Sequence, residues 1–248
     1  MQLKTDGLVI KVNDTGENDR VITVLTRDYG TVRAFANGAK KMKSRFQSAT
    51  QLLNYSAFTF YAARDSYIID DAVSKEVFFK LREDIEKIAL AQYFCELAAE
   101  LAPEMDEAEE YLRLILNALD FLTKDKRPAL LLKAVTEMRL LCLSGYMPAV
   151  DGCAVCGKQE DALMVFDVGE GQLLCSEERK PGLPLDTGAL TALRHICGSP
   201  LVKLFSFTLS DASLKLLADA VEHYLLATTQ RKFKTLDFYK ILALHNGV

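Results

Sequence analysis

Between positions 5 and 73 the apolar residues gather in five short runs, 5–12, 19–27, 30–37, 56–62 and 67–73, each rich in β-branched and aromatic side chains. Runs of this length bounded by polar residues predict strands, and together a small all-β unit. Asp28-Tyr-Gly30 reads as a tight turn between the second and third runs, and Arg64-Asp65-Ser66 as one between the fourth and fifth. The polar stretch 40–53 between the third and fourth runs has room for a short helix. Five strands with a helix inserted after the third is the order expected of an OB-fold barrel.

From position 75 the apolar spacing lengthens to that of helices. Leu81, Ile85, Ile88 and Cys95 mark a first helix that Pro103 ends; a second is predicted over 108–122, with Tyr111, Leu112, Ile115 and Leu119 on one stripe. A third begins at Pro128, a residue suited to a first helical turn, and stops before Gly145 and Pro148. Two more are predicted over 187–197 and 210–228, the latter with Ser210 as N-cap. The fold class is therefore α+β: a five-stranded OB-fold barrel (1–78), a helical domain in two parts (79–150 and 185–248), and a small cysteine-containing, zinc-ribbon-like insertion (151–184).

Composition is that of a globular chain: 50% hydrophobic, 26% charged, net charge −4 over 248 residues. The first residues carry no apolar signal segment and no apolar run approaches the ~20 residues of a membrane span, so the expectation is a cytoplasmic protein with no membrane partner. The net charge hides an asymmetry. Residues 1–80 hold 12 Lys and Arg against 9 Asp and Glu, whereas 81–150 hold 8 against 13. The basic excess centres on the decapeptide 37–46, which contains Lys40, Lys41, Lys43 and Arg45 and lies in a stretch without Asp or Glu from 29 to 64. Packed cations of this kind attract a polyanion, and Asn-Gly lets the chain turn out of a strand. The same residues also describe a solvated basic loop. A second basic cluster, Arg231-Lys-Phe-Lys234, lies near the C-terminus.

Alternation along the third run puts Val32, Ala34 and Ala36 on one face and Arg33, Phe35 and Asn37 on the other. A cation, a ring and an amide facing outward suit phosphate contact and base stacking, worth ~1–3 kcal/mol per base. In the inverted assignment Phe35 is core.

Six cysteines are too few and too irregularly spaced for a secreted disulfide framework, and Cys95 and Cys142 sit in helical patterns as small core residues. Cys153-Ala-Val-Cys156-Gly has the form of a zinc knuckle, and Cys175 follows at the spacing of a ribbon's second half. Where a fourth cysteine is expected stands Glu178, which could ligate through oxygen; Cys197 or His195 could approach from elsewhere, or the ribbon holds no metal.

The chain resembles the RecO family of bacterial recombination mediators along nearly its whole length. The resemblance rests on Gly7-Leu-Val-Ile-Lys11, Gly16-Glu-Asn-Asp-Arg20, Thr26-Arg-Asp-Tyr-Gly30, Gly38-Ala-Lys-Lys41 with Lys43-Ser-Arg45, Leu81-Arg-Glu-Asp84, Leu143-Ser-Gly-Tyr-Met-Pro148 and Cys153-Ala-Val-Cys156, jointly and in this order. It implies an OB domain, a helical domain and a zinc-ribbon-like insertion. It implies binding of single- and double-stranded DNA, strand annealing, and help in loading the RecA recombinase onto strands covered by single-strand-binding protein. The implied partners are RecR and the acidic C-terminal tail of that protein. Carried over by motif, the DNA-binding residues are Lys11, Arg20, Arg27, Arg33, Lys40, Lys41, Lys43 and Arg45, with Phe35 added from the strand pattern. Lys133 and Arg139 are expected to supply a cation beside a docking groove for the tail. Family members with a metal show a second Cys-x-x-Cys, which this chain lacks after Cys175. A non-enzymatic mediator is the expected function; a zinc-dependent hydrolase and an OB module that binds only protein are the alternatives.

Overall fold

The computed structural model describes residues 2–63, 66–161, 163–178 and 181–245. Strands β1 (Gln2–Thr15), β2 (Asp19–Thr26), β3 (Thr31–Ala36), β4 (Asn54–Ala62) and β5 (Tyr67–Val77) close into a barrel in the order β1-β2-β3-β5-β4, with β3 and β5 parallel and the other pairs antiparallel. Alternation makes this closure work: Leu3, Val9, Ile22, Val24, Val32, Ala34, Ala36, Phe58, Phe60 and Ile69 all face one buried core. Within it the small Ala34 and Ala36 share the core with the rings of Phe58 and Phe60, stacked 5.3 Å apart. The expected turn at 64–66 lies partly outside the described residues.

The segment 37–53 is not the short helix expected there. It runs as consecutive turns, with Lys41 N–H donating to Gly38 O, Ser44 N–H to Lys41 O and Gln47 N–H to Ser44 O. Its hydroxyl and amide side chains compete for the backbone: the Ser44 hydroxyl accepts from Phe46 N–H, Thr50 donates to Phe46 O, and Asn54 donates to Ser48 O. Such local bonds offer the chain an alternative to the helical ladder.

Compact packing divides the chain into Met1–Lys124 with Phe233–Val248, and Asp125–Lys232. The first unit adds to the barrel α1 (Ile85–Leu101), α2 (Glu109–Thr123) and α6 (Lys234–His245). Asp84 starts α1 by accepting from the amides of Glu86 and Lys87. Helix α6 was not foreseen from the sequence, where only its basic approach stood out. It buries Phe233, Leu236 and Tyr239, and the Phe233 ring meets Tyr93 of α1 edge-on at 6.0 Å.

The second unit holds α3 (Ala129–Leu143), α4 (Thr187–Gly198) and α5 (Asp211–Thr229), with a four-stranded sheet inserted between α3 and α4. Its strands are β6 (Ala149–Cys153), β7 (Met164–Asp167), β8 (Gln172–Cys175) and β9 (Leu183–Leu185), ordered β6-β8-β7-β9. Ser210 caps α5 by accepting from Ser213 N–H, as its position predicts. No helix among the described residues is long and apolar enough to cross a membrane.

Candidate nucleic-acid interface and cysteine cluster

Cross-strand register assembles the outward face of the barrel. Lys11 lies opposite Thr23, which lies opposite Arg33, so the two exposed cations flank one threonine across three strands. One step along, Asn13, Val21 and Phe35 form the next row. Arg33 and Asn37 are exposed and Phe35 is half-buried outside the barrel core, so the inverted assignment does not hold. Side chains at this spacing repeat every ~6.6 Å along a strand, and the line Arg33, Phe35, Asn37 leads into the basic loop.

The loop is fastened from below and open above. Gly38, in the left-handed region at φ +68°, turns the chain out of β3, and its amide donates to Asp19 at 2.6 Å. Ala39, Phe46 and Ala49 then return into the barrel core. Although the sequence stretch has no acid of its own, strands distant in sequence supply them. Lys40 is 3.1 Å from Asp14, and Arg45 is 3.7 Å from Asp71 while donating to Asp70 O at 2.7 Å. The hydrogen bond from Lys40 holds the Asp14 carboxyl below its ordinary value. Acids from outside the acid-free stretch thus compensate two of its four cations. Lys41 and Lys43 are exposed and have no acid partner among the described residues, and Met42 stands between them.

Two other residues assigned to DNA stand elsewhere. Arg20 shares the inward register of Ala36 and is only 18% exposed; its guanidinium donates to Gln47 O and the Thr50 hydroxyl at 3.3 Å, bracing the loop from beneath. Arg27 lies just past the other end of β2, ~20 Å along the strand from Arg20, bonded to Asp28 at 3.1 Å and 4.0 Å from Asp6. Asp28, bonded to the Thr5 hydroxyl and to Arg27, is held below its ordinary value.

The cations assigned to the partner groove are both engaged internally. Lys133 is 2% exposed and lies 2.8 Å from both Glu137 and Glu222, so it cannot present its charge at a surface. Arg139 donates to Ile196 O and Cys197 O, the last carbonyls of α4, where a cation complements the helix dipole. A helical spacing of charge in the sequence does not distinguish such inward cations from solvated ones.

Cys153 ends β6, Cys156 follows it in the turn, and Cys175 ends β8; their sulfurs lie within 4.8 Å of one another. Gly157, at φ +75°, makes the turn and donates to Cys153 O at 2.8 Å. Hydrogen bonds from the Cys156 backbone, then from those of Val155 and Cys175, bring the Cys153 thiol down to about 7. The Cys156 and Cys175 sulfurs are 3.7 Å apart, and two thiolates on one tetrahedral zinc stand ~3.8 Å apart. That one separation matches an edge of a zinc tetrahedron, and the three thiols together could hold a metal. Glu178, in a 3₁₀ turn after β8, is not part of the group, and neither are His195 or Cys197. His195 is bonded to Lys203 O and Ser199, and a bond with Cys142 together with burial pushes the Cys197 thiol up.

A family model for the N-terminal part of recombination protein O matches residues 1–78, and one for its C-terminal part matches 82–237. A protein of Acetivibrio thermocellus named DNA repair protein RecO is 35% identical over 97% of both chains. Proteins of the same name from Symbiobacterium thermophilum and Desulforudis audaxviator are 31% and 29% identical, over 96% and 99% of both chains. With both halves matched in order and the relatives aligned nearly end to end, the chain belongs to the recombination protein O family.

Proposed function

We propose that this protein is a non-enzymatic recombination mediator in DNA repair that holds DNA on the outward face of its barrel. The observation that carries this reading is the pair of exposed lysines, Lys41 and Lys43, without an acid partner among the described residues, at the end of the line Arg33, Phe35, Asn37. The lysines and Arg33 would neutralise phosphates, and Phe35 would take a base face. Neutralising two strands at once lowers their mutual repulsion, which favours annealing. In this reading the protein acts with RecR and with the acidic tail of single-strand-binding protein to let RecA onto covered strands. Zinc, held by Cys153, Cys156 and Cys175, would tie the turn after β6 to the end of β8 as a structural cross-link.

The test is fluorescence anisotropy of a labelled single-stranded oligonucleotide across a salt series. Wild type should bind with an affinity that falls as salt rises. Alanine at Lys40, Lys41 and Lys43 together should flatten the log–log slope by about 1.4, the share of two phosphate contacts at ~0.7 each, because Lys40 is already committed to Asp14. An unchanged slope would remove this loop from the DNA site; absence of binding at low salt would leave a barrel that serves protein partners.

A further inference from the structure

Met42 is 94% exposed, more than any other large apolar side chain among the described residues. A thioether chain gains nothing from water, and single exposed apolar residues are common enough to require no explanation by themselves. The surroundings of this one are unusual. It is flanked on both sides by Lys41 and Lys43, the loop's two cations without an acid partner. The base of the loop is fixed at several points: Lys40 to Asp14, Gly38 to Asp19, Arg45 to the Asp70 backbone, Arg20 to Gln47 and Thr50. Ala39 and Phe46, on either side of the tip, are buried in the barrel core. An apolar tip is thus presented on a rigid mount, between two groups that attract phosphate.

We propose that Met42 is a wedge that enters between two stacked bases while Lys41 and Lys43 hold the phosphates on either side of that step. This rests on the DNA-binding reading above and adds a distinct act to it, unstacking. Proteins that unstack DNA insert apolar side chains of this kind at a base step, and the flanking phosphate contacts offset the stacking energy lost. An unbranched side chain with three rotatable bonds adapts to any step, so the insertion is independent of sequence. For a protein that brings strands together, opening a step exposes bases for pairing.

The experiment uses full-length protein and a duplex with a single-stranded tail in which 2-aminopurine replaces adenine at one position at a time. This base brightens when it unstacks, while anisotropy on the same sample reports binding. Wild type at saturation should raise emission at particular positions. Met42→Ala should lose that rise yet still saturate, with its salt slope unchanged because both lysines remain; Met42→Phe should restore the rise. Lys41→Ala with Lys43→Ala should lower the slope by about 1.4 to 1.8, depending on whether tail or duplex is held. A rise that persists in Met42→Ala, or its absence in wild type that is demonstrably bound, overturns the wedge and leaves the DNA site standing. Failure of wild type to bind at low salt overturns both. Because Met42 buries almost nothing, none of these outcomes reflects a failure to fold.

Discussion

Lys133 is buried with its ammonium shared between Glu137 and Glu222, and bonding to these carboxylates offsets its loss of water. Burial alone would lower the lysine's pKa; the two carboxylates more than offset this and hold it above its ordinary 10.5. A group whose folded value is raised contributes stability that is complete below its unfolded value and is lost as pH rises through the folded one. The contribution therefore persists through neutrality and fades only in alkali beyond 10.5. Lys133→Met would remove the ammonium that Glu137 and Glu222 share and should cost ~3–5 kcal/mol, read as a fall in the urea midpoint; an unchanged midpoint would mean that the carboxylates do not depend on this lysine. Asp14 offers the opposite experiment on the barrel. It engages Lys40 at 3.1 Å and lies 3.6 Å from Arg20. Asp14→Asn should release Lys40 for phosphate, tighten oligonucleotide binding and steepen the salt slope by about 0.7. Weaker binding would show that Asp14 matters more for holding the loop's shape than for masking its charge.

Elements were legible where a local period sets them. The alternation Val32, Ala34, Ala36 against Arg33, Phe35, Asn37 gave both the strand and its faces, and Ser210 marked the start of α5, because each effect acts within a few residues. What was hidden depends on partners distant in the chain. The sequence around the basic loop shows no acid because its partners, Asp14 and Asp71, arrive from β1 and β5. Arg20 read as a DNA contact because its inward register is decided by pairing with Ala36. Helix α6 was missed for a related reason. The residue that caps it is not in its own segment: Glu96 of α1 accepts from the Thr235 amide at 3.1 Å and from its hydroxyl. Glu96→Ala should destabilise the barrel unit by ~1 kcal/mol, the usual worth of an N-cap. Glu96→Gln, which keeps an acceptor oxygen, should recover part of the loss. Hydrogen exchange in the first turn of α6 would show the loss locally, and unchanged protection there would deny Glu96 the capping role.

At the scale of the whole molecule, the chain builds a barrel unit, leaves it at Lys124 and returns at Phe233. The basic excess of the first 80 residues lies entirely on the unit that carries the candidate DNA face, while the cysteine cluster lies on the other. That separation makes the metal reading testable without reference to DNA. If the three thiols hold zinc, purified protein should carry about one ion per chain, and chelation should make Cys153, Cys156 and Cys175 accessible to a thiol reagent in folded protein. Cys95 and Cys197 should respond less, since both are buried and burial pushes the Cys95 thiol up to about 12. Zinc binds thiolates, so affinity should fall as pH drops, the fall steepening below about 7, where the Cys153 sulfur also takes up its proton. Cys175→Ser removes one of the three clustered thiols and should abolish retention of the ion, whereas Glu178→Gln, altering a residue outside the cluster, should leave it intact. Retention in Cys175→Ser would mean that the metal sits elsewhere. Loss in Glu178→Gln would mean that the turn after β8 moves inward to complete the tetrahedron when zinc binds.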